Sequence, residues 1–382
     1  MSNALALKAK NRYEDKTMNF RLAWSAWLIN KQFNITENTP TLYEAMISAV
    51  QENGFDNSLK INDNDCADFF IDGNNHLYTV TRLGEVAAYK MSGDRPKEYL
   101  RFKSSANSAP IQKVYFLSNK YLIYSTVDKK NYFTDIASQN TVQLKNSGYI
   151  NAAALLNNGG RVVVALDNGN IFVYDTQSAD KGSVNVIDLK QKIMDVCPSP
   201  QPNQCYVMTH NGMVLKYNTA DGSTKEIFSR PMHIGSAMTT IPDKNLLVAC
   251  YADGTIFYID TQTDKMGYEF TGGHAKVEKA IYDPVSQYLA LSSADKRITL
   301  LDTKNFELQP FYIEETNLRS SRVNSLCFNK KGMLFALNDK NNLLYWDTDI
   351  TQYAKSLENL NLQPLTANEK NLVLGREFAG GW

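Results

Sequence analysis

Four histidines, His76, His210, His233 and His274, are all that the 382-residue chain offers for imidazole chemistry. No two of them stand two, three or four residues apart. Those are the spacings that place paired ligands on one face of a strand or helix, so no histidine metal clip is encoded. His274, Ser292 or Ser293, and Asp295 have the residue types of a nucleophilic triad. Asp135, Asp175, Asp260, Asp302 and Asp347 each close an apolar run. Two carboxylates held together do acid–base work. These five instead recur at regular intervals before polar segments, and they read as turn-forming acids. The glycine pairs Gly159-Gly160 and Gly272-Gly273 do not follow a strand and open a helix, so a phosphate-cradling loop is not indicated. There is no GxxxxGK[ST] sequence and no cysteine–histidine nucleophile pair. The cysteines, Cys66, Cys197, Cys205, Cys250 and Cys327, are odd in number and form no CxxC. That pattern fits a reducing, cytoplasmic setting, with cysteine acting as a small apolar residue. Cys197 and Cys205 flank a Pro-rich loop and could meet. The chemistry-bearing residues therefore point to no cofactor, no metal and no enzyme.

The elements that carry these residues explain their spacing. LLVACYADGTIFYID (Leu246 to Asp260) is two short apolar runs around a tight turn. The unit returns as VVVALDNGNIFVYD ending at Asp175, YLALSSADKRITLLD ending at Asp302 and LFALNDKNNLLYWD ending at Asp347. Weaker copies end at Lys90, Asp135 and Asn218. Seven copies at a period of about 40–45 residues, with several strands in each, predict an all-β, seven-bladed β-propeller. The turns Asp167-Asn168-Gly169, Asn211-Gly212 and Asp253-Gly254 supply residues that tolerate positive φ. The predicted blades run 66–102, 111–144, 150–189, 193–228, 234–270, 277–313 and 323–347. Leu59 and Ile61 are expected to close the ring beside the last blade.

Residues 1–56 read as a short N-terminal helical segment with three helices. Phe20, Ala23, Trp24, Trp27 and Leu28 share one helical face, as do Leu42, Ala45, Met46, Ala49 and Val50. Thr39 can cap the third helix, Pro40 fits its first turn and Gly54 can end it. The paired tryptophans pack against neighbouring helices and the propeller flank, or else form a docking face for another domain. The propeller is assigned to 57–351. The tail, 352–382, is expected to hold a short helix opened by a Thr366/Glu369 capping box.

Composition narrows the partners. Forty Lys+Arg balance forty Asp+Glu, for a net charge of zero. Non-specific nucleic-acid or anionic-membrane binding needs a basic surplus. No apolar run approaches the ~18–20 residues of a membrane span. The N-terminus lacks the features of a signal peptide. Ser2-Asn3-Ala4 matches a cloning remnant, which would make the chain a piece of something longer.

Trp346-Asp347 closing the seventh repeat and Gly273-His274 opening the sixth resemble the WD-repeat family. That resemblance covers about residues 58–349 and implies that His274 bonds Ser292 or Ser293 and Asp295 structurally. The end segments add to it. ALALKAKNRYEDKTMNFRLAWSAWLINKQFNITENTPTLYEAMISAV and the LTANE…LG tail resemble segments that flank WD-repeat domains in bacterial signal-transducing NTPases and caspase-like proteases of conflict systems. Lys370 departs from the aromatic usual there. The implied role is a sensor or scaffold, with its effector module in the same or a neighbouring chain. A different class is suggested by IFVYDTQSADKG, IFYIDTQTDKMG and LKYNTADG, which resemble pyrroloquinoline-quinone-type propellers (a quinoprotein enzyme or an envelope-assembly factor). That family's tryptophan docking pattern and export signal are lacking.

The residues just before the inner strands are Tyr149, Lys192, His233, Lys276 and Arg322. Blade topology gathers them on one channel rim. The set is slightly basic and could take an acidic peptide or tail; solvated loop residues are the other reading.

Overall fold

The computed structural model describes residues 1–10, 16–33, 39–52, 57–59, 65–91, 96–104, 109–156, 159–271, 275–306, 310–313, 322–360 and 363–374. Ile61, Gly54, Gly272-Gly273 and His274 lie outside these residues.

Alternating apolar sequence becomes seven four-stranded antiparallel sheets among the described residues. Their inner strands are Cys66–Ile71, Ile111–Phe116, Ile150–Leu155, Ile193–Pro198, Gly235–Ile241, Val277–Asp283 and Val323–Phe328. The second strands are buried on both faces, as in Val162, Val163, Val164, Ala165 and Leu166, all at 0% exposure. Such strands lie between stacked sheets, which is why they read as unbroken apolar runs. A fully buried valine or leucine stabilises the fold by about 1.5–3 kcal/mol. Among the described residues seven apolar clusters form, each joining two neighbouring blades. All five cysteines are free and lie in strands. Burial drives the thiols of Cys197, Cys205, Cys250 and Cys327 upward, that of Cys327 to about 12.

Two repeated devices fix each blade. The recurrent strand-ending acids do form turns. A side-chain oxygen of Asp135 accepts from the Ser138 N–H (3.0 Å), that of Asp302 from Lys304 (2.8 Å) and that of Asp347 from Asp349 (2.9 Å). The following threonine is buried in four blades. The hydroxyls of Thr176, Thr219, Thr303 and Thr348 donate to the carbonyls of Gly159, Asn203, Gln287 and Gly332 at 2.7–3.0 Å. The three Asp-Thr units, and Asn218-Thr219 in blade four, thus clamp one turn of a blade to another.

The ring closes as expected at Leu59. Ser58–Leu59 pairs antiparallel with Leu344 and Leu343, so the chain's N-terminal side completes blade seven. Helices α1 (Ser2–Lys10), α2 (Lys16–Gln32) and α3 (Pro40–Glu52) precede it. Thr39 Oγ1 accepts from Leu42 N–H at 3.3 Å, the N-cap of α3. Trp24 is buried and Trp27 partly so, both in a cluster shared with Tyr288, Leu300, Ile313 and Trp346. The packing reading of the tryptophans holds. The helices extend the core between blades six and seven outward. Glu44 accepts from the backbone N–H of Tyr312 on blade six's outer strand, Phe311–Ile313 (3.0 Å).

Two helices follow blade seven: α4 (Ile350–Glu358), capped by Asp349, and α5 (Ala367–Leu374). The reading from sequence missed α4, which straddles the boundary expected after residue 351. The tyrosines of α3 and α4 clasp Asp347: Tyr43 donates to its carbonyl (2.6 Å) and its N–H donates to Tyr353 (2.8 Å). Among the described residues no helix is long and apolar enough to cross a membrane.

Candidate recognition site at the channel mouth

Each inner strand carries a one-residue bulge one position after its start. The bulged residues are Ala67, Gln112, Asn151, Met194, Ser236, Glu278 and Asn324. A bulge re-aims a side chain, and all seven line one axial cavity of about 650 Å³. Lys192 and Lys276, from the loops entering blades four and six, also line it, as does Arg82 from a blade-one turn. The cavity therefore opens on the rim that carries these loops and turns. A second, more apolar cavity of about 320 Å³ continues towards the opposite rim and shares Asp68, Tyr115 and Lys279 with the first.

The cavity carries five cationic side chains, Arg82, Lys113, Lys192, Lys276 and Lys279, against three acids, Asp68, Asp195 and Glu278. The acids are engaged. Asp195 accepts from the Val196 N–H (2.8 Å) and, across the blade junction, from Met238 N–H (2.6 Å). Burial pushes its carboxyl up to about 6, against the pull of the Met238 amide, Lys279 and the Val196 amide. Asp68 accepts from Phe69 N–H (2.9 Å); burial raises it too, and Lys279 opposes the rise. Glu278 pairs with Lys276 at 3.0 Å. Lys279 lies over the Tyr115 ring, 5.6 Å from its centroid. Lys113 has only a neutral partner there, Asn151 Oδ1 at 2.9 Å. Burial and the nearby Lys192 ammonium lower its basicity, with Lys276 and Lys279 adding to the effect and the Asp167 carboxylate opposing it.

Of the five expected rim residues, Lys192 and Lys276 line the cavity and the other three do not. A shared backbone bond fixes the register: the carbonyl of the residue before each inner strand accepts an amide from the turn between strands two and three. Tyr149, Lys192, Lys276 and Arg322 hold that place, at 2.8–2.9 Å. In blade five it belongs to Ile234, which accepts from Ala252 (2.8 Å), and not to His233. The expected register was one residue early, because Ile234 looked like the strand's first apolar residue while the strand begins at Gly235. His233 instead meets Asp253 (3.1 Å), which also binds Arg230 (3.0 Å). Tyr149 donates to the Val127 carbonyl (3.1 Å) and Arg322 is exposed on the same rim.

Reading the loops alone missed Lys113, Lys279, Asp68 and Asp195. Their signal was a charged residue two places into an inner strand: CAD, IQK, IMD, VEK. Among the described residues no three His, Cys, Asp or Glu side chains gather as a metal site. Ser293 donates to Asp295 (2.6 Å).

No protein-family model matches this chain, and no curated protein matches it. Solved structures do. A chain in the crystal structure of a mitotic checkpoint complex aligns at 13% identity and TM-score 0.61, over 73% of this chain and 86% of that one. The β-propeller domain of Cps50 (Swd1) from Myceliophteria thermophila aligns at 15% identity and TM-score 0.54, over 62% and 83%. This chain is a seven-bladed β-propeller. At such identities the likeness carries the propeller's architecture and leaves its ligand to be argued from the channel.

Proposed function

We propose that this propeller is a non-catalytic recognition platform whose channel-mouth rim docks an acidic segment of a protein partner. The observation that carries the reading is the basic surplus gathered at the mouth of a chain with no net charge. Charge complementarity of this kind steers and selects partners. Exposed apolar side chains stand on the same rim: Leu83, Val127, Ile234 and Met232, the last 99% exposed. Tyr149, His233 and Arg322 extend the basic and aromatic character outward, so the five-residue rim set is retained as the docking face with Ile234 added.

The helical segment couples the platform to an effector module, in the same or a neighbouring chain, within a bacterial signalling or defence system in the cytoplasm. The resemblance of residues 4–50 and 365–375 to segments flanking such propellers supports this setting.

The test is a tagged pull-down from source cells, comparing wild type with Lys192→Glu/Lys276→Glu. A partner recovered by wild type and lost with the variant is expected. Undiminished recovery moves docking to another face, and turnover of any substrate by the isolated chain overturns the non-catalytic reading.

A further inference from the structure

The cavity at the channel mouth is more specific than a basic rim requires. Its cations come from alternate blades: Lys113 from blade two, Lys192 from the entry to blade four, and Lys276 and Lys279 from blade six. They approach the axis from different sides of the ring. Their carboxylate neighbours do not neutralise them evenly. Both oxygens of Asp195 are turned to backbone amides in the wall. Glu278 serves Lys276, and Arg82 reaches away to Asp65 (3.2 Å). Among the described residues Lys192 has no ion-pair partner within 4 Å, and Lys113 donates to the neutral Asn151 amide while Asp167 acts on it from farther off. Lysine stems are long and can extend their ammoniums from the wall, whereas Asp68 and Asp195 are held to backbone amides there.

We infer that the upper channel binds a compact, multiply charged phosphate ligand, gripped chiefly by Lys113 and Lys192 and flanked by Lys276 and Lys279. The inference rests on the reading of the channel mouth as an anion-recognition site and adds a small ligand held inside the channel that the docking rim surrounds. A cavity of about 650 Å³ lies within the usual range for small-ligand pockets. Its lining is shared with the second cavity at Asp68, Tyr115 and Lys279. A pocket of this size with ammoniums on several sides suits a small, dense anion. Lysine ammoniums bind phosphate as movable point charges, matching a ligand that presents oxygens in several directions. Burial and then the neighbouring Lys192 ammonium lower the basicity of Lys113 against the pull of Asp167, and a polyanion seated beside these ammoniums would relieve their crowding.

The experiment is calorimetric titration of the full chain at pH 7 with inorganic tripolyphosphate, and with orthophosphate and a poly-glutamate peptide in parallel. Tripolyphosphate should bind at least tenfold tighter than orthophosphate. Lys113→Met/Lys192→Met should weaken it at least tenfold, and Lys304→Met, a change on the opposite rim, should not. Melting curves establish that each variant folds; if the double variant does not, Lys192→Met alone should still weaken binding several-fold. Absence of tripolyphosphate binding, or binding untouched by the lysine variants, overturns the inference. Poly-glutamate binding without tripolyphosphate binding also overturns it, while leaving the acidic-partner reading intact. Loss of the pull-down partner on Lys192→Glu/Lys276→Glu tests that broader reading separately.

Discussion

Gly169 and Lys129 occupy the same place in equivalent turns, and both have positive φ, +93° and +64°. All seven turns between second and third strands have such a residue in fourth position: Gly84, Lys129, Gly169, Gly212, Gly254, Lys296 and Asn341. A type I turn followed by a left-handed residue demands this whatever the side chain. The consequences of substitution differ by site. A Cβ at Gly169 would lie 2.6 Å from the carbonyl oxygen of Gln191, a backbone atom that cannot rotate away. Gly169→Ala should therefore cost about 1–3 kcal/mol in urea unfolding. Lys129→Gly relieves left-handed strain of about 1–2 kcal/mol but adds disorder to the unfolded chain worth about 0.5–1 kcal/mol. It should leave stability unchanged or slightly raised. A loss at Lys129→Gly as large as that at Gly169→Ala would show that its left-handed φ carries little strain and that contacts such as Lys129 over the Tyr149 ring decide its stability. The glycines at these turns were legible in the sequence. The lysines were not, because nothing about Lys129 or Lys296 announces a left-handed backbone. The channel charges were hidden for a related reason: a strand bulge shifts the facing of later side chains, and simple alternation does not report it.

At the scale of elements, strands and helices announced themselves by period, and the ends by capping residues. The box at Thr366 forms as its sequence suggests, Glu369 accepting from the Thr366 N–H (2.8 Å) and the Glu369 N–H donating to Thr366 Oγ1 (3.3 Å). Helix α4 escaped notice although Ile350, Tyr353, Ala354 and Leu357 are buried at helical spacing. One apolar stripe over nine residues, opening with Ile and Thr, does not separate a helix from a continuing strand. What sequence could not supply is the partner of α5. Arg21 on α2 grips Glu369 with both of its terminal nitrogens, at 2.6 and 2.8 Å. This contact, with the Thr366 bonds, holds the Glu369 carboxyl down to about 2. A carboxylate whose pKa is lowered by folding adds stability above its unfolded value and loses it as pH falls towards the folded one. The tie between α2 and α5 should thus be complete above about pH 4.5 and fade towards pH 2. Glu369→Gln should speed hydrogen exchange of amides 367–374 at pH 7, and its difference from wild type in thermal melting should shrink across pH 4.5 to 2. A difference that persists at pH 2 would assign the effect to capping geometry, not charge.

For the molecule as a whole, the main question is how a ring of nearly independent blades becomes one cooperative body. Each blade is a local meander, and each core cluster joins only two neighbours, so the ring has a seam wherever the chain begins and ends. Here the seam is blade seven. Three of its strands come from residues 323–346 and the fourth, Ser58–Leu59, from the other side of the chain. The Tyr345 N–H donates to the Asn57 carbonyl (2.9 Å), extending that pairing. The same region carries the helices, whose apolar faces merge with Trp346, Leu344 and Ile350 in one core. Seam and helical core therefore support each other. Removing residues 1–59 would uncover both the unpaired edge of Leu343–Trp346 and the apolar faces of blades six and seven. Exposed strand edges recruit other chains, and exposed apolar patches do the same. The truncated chain should run as larger species in size-exclusion chromatography with light scattering, and should not melt in the single transition expected of the full chain. Removing residues 363–382 leaves the seam paired and should preserve both the elution position and the transition. If the 60–382 chain instead keeps the elution behaviour and melting of the whole, the seven blades hold together without the closing strand, and the helical segment is free to serve as a separable coupling element.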